Sequence, residues 1–300
     1  MSDNSSSSVT PNVRLGIVLM LLSMLMFALN DTMGKWLVST YTVGQLVLIR
    51  SLAALVVLSP LFWKTGTKKL FLVERPGLHL LRAFLFAFEA CAFYFAVIYM
   101  PLADAMTYWL AAPIYVAAVS PLFLGEKVGW RRWTAIILGF VGVIVALEPS
   151  AQTFSLPALL SLAGSLAFAM AMVLGRSLRA ASDATLVFWQ AAGAVVFAGL
   201  MLLFGVSEWV PVGPLDLSFL CMLGVVSMLA HLLVNRSLKL ADTSTVVPLQ
   251  YTLLIWGIIF GWAIFDDRPR FAMLVGALII VASGLFIFFR EQKLRRDGKL

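Results

Sequence analysis

Apolar residues fill ten long blocks of this chain, and polar residues gather in short groups between them. The blocks run roughly over 15–37, 42–63, 79–100, 103–123, 132–148, 156–178, 184–204, 216–236, 241–264 and 271–289. A helix needs about 20 mostly apolar residues to cross ~30 Å of hydrocarbon. In lipid the backbone must pair with itself, so such blocks read as helices. The pattern predicts an all-α polytopic membrane protein with ten transmembrane helices. Short connections rich in Pro, Gly, Lys, Arg and Asp separate them. The longest, around Lys64 to Leu78, leaves no room for a soluble domain.

Composition agrees with this. Of 300 residues, 61% are hydrophobic and 12% charged, with a mean hydropathy of +0.97. Charge this sparse cannot cover a water-soluble globule, which excludes a soluble enzyme, and disorder needs the opposite composition. The net charge of +7 does not indicate nucleic acid, because the basic residues lie between apolar runs and form no continuous patch. Cys91 and Cys221 both sit inside apolar runs, with neither disulfide nor metal-ligand spacing. The polar stretch Met1 to Arg14 lacks the pattern of a cleaved signal peptide. Lys and Arg in the connections and tails divide seventeen to three between the two sides, with Arg50 and Arg82 inside spans. By the positive-inside rule, both termini are expected in the cytoplasm of a cell whose plasma or bacterial inner membrane holds the chain. The basic tail anchors this topology and is a candidate for contact with anionic lipid.

The two halves echo each other. Leu102-Ala103-Asp104-Ala105 returns as Leu240-Ala241-Asp242-Thr243. Phe27-Ala28 with Gly34-Lys35 returns as Phe168-Ala169 with Gly175-Arg176, and Gly139 returns as Gly276. The offsets of 137 to 141 residues equal five helices. Five is odd, so the second half enters the membrane upside down. The layout is a tail (1–14), two five-helix repeats (15–150 and 151–289) and a basic tail (290–300) around a central cavity. Inverted repeats are a recurring plan of secondary transporters, with the substrate near the midplane between them. The alternative is that the repeat records only duplication and packing.

The ten spans, the duplicated unit and the Leu-Ala-Asp start of spans four and nine resemble the drug/metabolite transporter superfamily, and within it the EamA group. Pro113 and Pro248 in those spans, and Gly125-Glu126 followed by a glycine-bearing fifth span, carry the same resemblance. The second half has Asp266-Asp267 where the first has Gly125-Glu126, so the acidic helix end is kept and the glycine is not. The resemblance covers about residues 14–290. It implies a basket of ten helices around a cavity, carrying small polar or amphipathic metabolites without a cofactor. Members export amino acids and toxic compounds; others import or exchange vitamins, nucleotides or sugars. The expectation taken here is export of amino acids or related compounds by alternating access. Import or exchange of a vitamin-, nucleotide- or sugar-type metabolite is the alternative.

Charges inside spans cost at least about 2.5–3.5 kcal/mol, so each needs a partner, a cavity or a role. Glu89 lies ~15 Å deep in span three and Arg50 ~12 Å deep in span two. The expectation is an intramembrane pair that lines the cavity, with Glu89 taking a substrate amine or a coupling proton. A static pair that orients the two spans is the alternative. Arg82 shares a face with Glu89 and snorkels to the cytoplasmic interface or gates. Asp31 and Lys35 form an i,i+4 pair or a gate. Ser227, His231 and Asn235 share one face of span eight, where His231 bridges helices or moves protons. Tyr108, Trp109 and Tyr115 of span four, Trp189 and Gln190 of span seven, and Gln250, Tyr251 and Trp256 of span nine are candidate cavity walls. Trp63, Trp130, Trp133, Trp209 and Trp262 read as interfacial. Pro113 and Pro248 are candidate hinges or fixed kinks. Gly257 with Gly261, and Ala83 with Ala87 and Ala90, give small-residue faces for packing, including a candidate homodimer contact. A membrane enzyme would need a catalytic constellation. His79 and His231 are the only histidines, and no HExxH motif, carboxylate cluster or nucleophile elbow occurs. A channel would show flux without saturation or trans-stimulation.

Overall fold

A computed structural model describes residues 12–66, 70–112, 114–116, 118, 130–147, 155–178, 181–241 and 246–296. No strand occurs among the described residues. The helices are α1 (Val13–Leu37), α2 (Val43–Thr65), α3 (Pro76–Tyr99), α4 (Leu102–Leu110), α5 (Trp130–Leu147), α6 (Leu156–Ser177), α7 (Asp183–Leu203), α8 (Pro214–Leu240), α9 (Thr252–Phe265) and α10 (Phe271–Arg296). Among the described residues, seven are long and apolar enough to cross a membrane, and α5 and α9 carry shorter apolar stretches. Pro113 and most of the second half of the fourth predicted span lie outside the described residues.

Local chemistry sets the helix ends. The Asn12 carboxamide oxygen caps α1 by accepting from Leu15 N at 3.1 Å, and Ser182 Oγ caps α7 by accepting from Thr185 N at 3.1 Å. Proline stands in the first turn of α3, α6 and α8, where its missing N–H costs nothing. The ninth span, expected over 241–264 with a kink or hinge at Pro248, changes its winding there. Val247–Tyr251 is a 3₁₀ segment with Pro248 in its first turn, and the α-helix begins only at Thr252. Proline removes a backbone donor, so the ladder opens where it stands. Residues 242–245 and the Pro248 side chain lie outside the described residues.

The bundle is apolar outside as well as inside. Val56 is 70% exposed and Leu278 69%, facing outward where lipid would solvate them. The five tryptophans read as interfacial are all exposed. Packing follows the repeat. Helix α1 lies on α8 as α6 lies on α3, and α2 lies on α8 as α7 lies on α3. Likewise α1 lies on α9 as α6 lies on α4. The pairs α2–α7, α4–α9 and α5–α10 each join a helix to its own counterpart. For these principal pairs, moving five helices on returns the matching neighbour, as two similar units in antiparallel register would give.

Small residues permit the closest crossings. Gly142 meets Gly276 between α5 and α10, and Gly193 of α7 lies on Ala83 of α3. The Gly257–Gly261 face is used within the chain: Met106 lies on Gly257, and Leu102 faces Gly261. That occupation removes the face as a dimer contact. Gly224 of α8 lies directly on the Arg50 carbonyl of α2, where a Cβ has no space. Gly224→Ala is expected to cost about 1–3 kcal/mol through overpacking, read as earlier thermal unfolding in detergent. Gly77→Ala, with nothing within 4 Å of its added carbon, is expected to leave unfolding unchanged.

Candidate functional site

Three charged side chains of the first half meet in the middle of the bundle: Asp31 of α1, Arg50 of α2 and Glu89 of α3. Arg50 lies within electrostatic reach of Asp31, Glu89 and His231. Yet no ion pair joins them among the described residues. Neutral groups hold each one instead. Arg50 Nη1 donates to the Tyr94 hydroxyl at 2.5 Å, and its guanidinium lies 5.4 Å from that ring's centre. Its Nη2 lies 3.5 Å from Ser227 Oγ, at the edge of hydrogen-bond range. Trp109 Nε1 donates to Glu89 Oε1 at 2.6 Å. The Asn30 amide donates to Asp31 at 3.2 Å and to the Tyr94 hydroxyl at 3.4 Å.

These groups stay partly accessible. Asp31, Arg50 and Glu89 are half-buried, and His231, mid-way along α8, is exposed although helices surround it. The remaining oxygens of Asp31 and Glu89 have no hydrogen-bond partner among the described residues. Neither is among the buried polar atoms left unsatisfied, so both face open space. The walls are aromatic. Phe27 meets His231 edge-on at 4.8 Å, Phe93 meets Trp109 edge-on at 5.0 Å, and Trp256 stacks with Phe260 at 5.8 Å.

At the end of the bundle opposite Val13 and Arg296, ion pairs do form. Lys35 Nζ lies 2.5 Å from Asp267 Oδ2 and donates to the Met100 carbonyl at 3.3 Å. Asp267 Oδ2 also accepts from Leu102 N at 3.1 Å, at the positive end of α4. Asp266 adopts the left-handed region, φ 54°, which aspartate tolerates. That turn sends Asp267 back over the end of α9. Beside it, Arg270 donates to Asp104 Oδ2 from Nε at 3.0 Å and from Nη2 at 2.7 Å. Both pairs join a residue of the first half to one of the second. At the same end, Gln45 clasps the connection between α7 and α8 through Val210, donating to its carbonyl at 2.7 Å and accepting from its N–H at 3.0 Å.

An all-helical chain with a buried polar centre and duplicated halves has a counterpart among known families. The model of the EamA-like transporter family matches twice, over residues 14–147 and 155–289. The chain belongs to the EamA-like transporter family. It is therefore a multi-pass membrane transporter of the drug/metabolite superfamily, not an enzyme. It is 27% identical over 280 residues to an S-adenosylmethionine uptake transporter of Rickettsia bellii, covering 93% of this chain and 95% of that protein. It is 28% identical over 291 residues to a riboflavin transporter of Vibrio cholerae, covering 95% and 97%. A protein of known crystal structure shares the fold, with a TM-score of 0.59, 17% identity and coverage of 92% of this chain and 96% of that one.

Within this EamA-like transporter the sequence-predicted residues separate into groups. Arg50, Glu89, Trp109 and His231 come together, and Trp256 stands between α1 and α9. The expected Arg50–Glu89 pair does not form, because Tyr94 and Trp109 take their bonds. The expected Asp31–Lys35 pair does not form either: Lys35 reaches across to Asp267. Arg82 does not snorkel freely; it donates to the Leu186 carbonyl at 3.2 Å and lies on the Phe86 ring. Tyr108 and Tyr115 are buried in the packing between α4, α5 and α6 rather than in the chamber wall. Tyr251 lies against Gly284 of α10. Trp189 donates to the Leu70 carbonyl at 2.9 Å and lies beside His79, away from the central charges. Gln190 and Gln250 are half-buried, and the Asn235 side chain lies outside the described residues. Sequence reasoning missed Tyr94 and Asn30 as partners of the central charges, and the pairing of Asp104 with Arg270. Asn30 adjoins Asp31 and Asp104 sits in the repeated Leu-Ala-Asp motif, but neither signal names a partner.

If the ion pairs hold this end closed, Asp267→Asn is expected to loosen it. A cysteine placed at Met106, with Cys91 and Cys221 replaced, is then labelled faster by a membrane-impermeant thiol reagent added opposite the termini. The expected gain is roughly threefold to fivefold, the worth of a partly exposed pair. The same change at exposed Asp266 is expected to leave labelling unchanged.

Proposed function

We propose that this transporter imports a small metabolite that carries a flat ring system, of the vitamin or nucleoside type, across a bacterial inner membrane. The observation that carries the reading is the central chamber, where unpaired charges stand beside aromatic walls. Charges fix orientation and rings give a flat group apolar contact. The full-length relatives support uptake: one is named for S-adenosylmethionine and one for riboflavin. They lend no support to the amino-acid export expected from the sequence. Alternating access would work by exchanging which end of the bundle is closed, with the ion pairs between the halves closing one of them. Substrate contacts are proposed for Arg50, Glu89, Trp109, His231 and Trp256 from the sequence reading, with Asp31 and Tyr94 added. Tyr108, Tyr115, Trp189 and Tyr251 support the helices around them.

Counterflow in proteoliposomes tests the reading. Liposomes preloaded with unlabelled S-adenosylmethionine or riboflavin are expected to accumulate the labelled compound with saturable kinetics. Arg50→Ala is expected to lower the initial rate at least tenfold, since it removes a charged contact worth about 1.5–3 kcal/mol. Flux that never saturates and shows no trans-stimulation would favour a channel. Exchange of amino acids but neither probe would restore export.

A further inference from the structure

The central chamber holds two carboxyl groups and one guanidinium, and the way each is bonded separates this site from an ordinary buried ion pair. Arg50 is placed by a phenol and a serine hydroxyl, Glu89 by an indole N–H and Asp31 by an amide. None of these partners neutralises a charge. Each carboxylate keeps an oxygen toward open space, and the guanidinium has five donors of which two are engaged. A bound substrate that covers these half-buried charges must supply hydrogen bonds and opposite charge in place of solvent, or they are left desolvated at a cost.

We infer that the chamber selects an amphoteric substrate with two positive charges and one carboxylate, with Asp31 and Glu89 reading the cations and Arg50 the carboxylate. This rests on the import reading above and narrows it. Of the two chemistries carried by the relatives, a sulfonium amino acid bears this set: a sulfonium, an ammonium and a carboxylate. Neutral riboflavin leaves all three protein charges unanswered. The aromatic walls serve either molecule, so the charges make the distinction. Trp109 stands beside Glu89, where a soft cation also meets an aromatic ring.

The test compares S-adenosylmethionine with its thioether, S-adenosylhomocysteine, which lacks one methyl group and the sulfonium charge, and with riboflavin. Half-saturating concentrations are measured by counterflow for wild type, Asp31→Asn, Glu89→Gln and Glu89→Asp, each checked for monodispersity in detergent. At least one neutralised variant is expected to lose roughly tenfold in affinity for the sulfonium and less than threefold for the thioether. Glu89→Asp, which keeps the charge, is expected to retain the preference. Equal losses for sulfonium and thioether in both neutralised variants would mean that the acids serve folding or ion coupling, and would overturn the inference. Wild-type protein that carries riboflavin but not the sulfonium overturns it while sparing the import reading. Failure to carry any of the three overturns both.

Discussion

A full charge inside a hydrocarbon layer must be solvated by something, and this chain does it differently at two depths. In the middle of the bundle, hydrogen-bond donors and acceptors without net charge hold Asp31, Arg50 and Glu89. At one end, opposite charges meet directly, Lys35 with Asp267 and Arg270 with Asp104. Placing a charge at mid-depth costs at least about 2.5–3.5 kcal/mol on insertion scales. A direct Arg50–Glu89 pair would recover much of that cost in the empty protein. The arrangement seen recovers less, and leaves the charges available to a ligand.

The scaffold is symmetric and the chemistry is not. The principal helix pairs repeat after five positions, as two antiparallel units would give. The three central charges all come from α1, α2 and α3. The counterpart helices α6, α7 and α8 answer with Ser227 and His231 on α8 alone. The contact of α8 with α2 is close because Gly224 leaves room for the Arg50 backbone. That contact brings Ser227, one turn along α8, to the guanidinium. A near-symmetric frame thus carries central charges that come from one half.

Much of the frame was legible from hydrophobic pattern alone, because lipid punishes any unpaired backbone and long apolar blocks have one solution. The ninth span was read as one helix kinked or loosened at Pro248. Proline announces a weakened ladder without saying whether the result is a kink or a 3₁₀ turn. Depth along a helix put Arg50 and Glu89 at a similar level, and both stand near the middle of the bundle. It failed on partners, because depth says nothing of rotation about the helix axis. Tyr94 and Trp109 decide the bonding of both central charges, and neither spacing nor charge marks them as partners. Tyr108 and Tyr115 were expected on one face, but the helix ends at Leu110 between them, and both are buried in packing against α5, α6 and α10.

The placement of the direct ion pairs near the end of the bundle follows from what a closure must do. A buried pair is costly to separate, since each partner is left uncompensated in a poor solvent, whereas a pair reached by water separates for about 0–1 kcal/mol. Lys35 and Asp267 are 12% and 20% exposed, and Arg270 is 40% exposed against 5% for Asp104. Each pair therefore keeps at least one partner within reach of water. Two such contacts joining the halves favour contact without locking it. On the proposed reading, substrate charges beside Asp31, Arg50 and Glu89 would supply interaction energy of comparable size, enough to bias a balance between two arrangements of the same helices. Were the strong pairs in the middle and the neutral contacts at the rim, binding would have to break ion pairs before it gained any, and the closed end would have nothing specific to hold it.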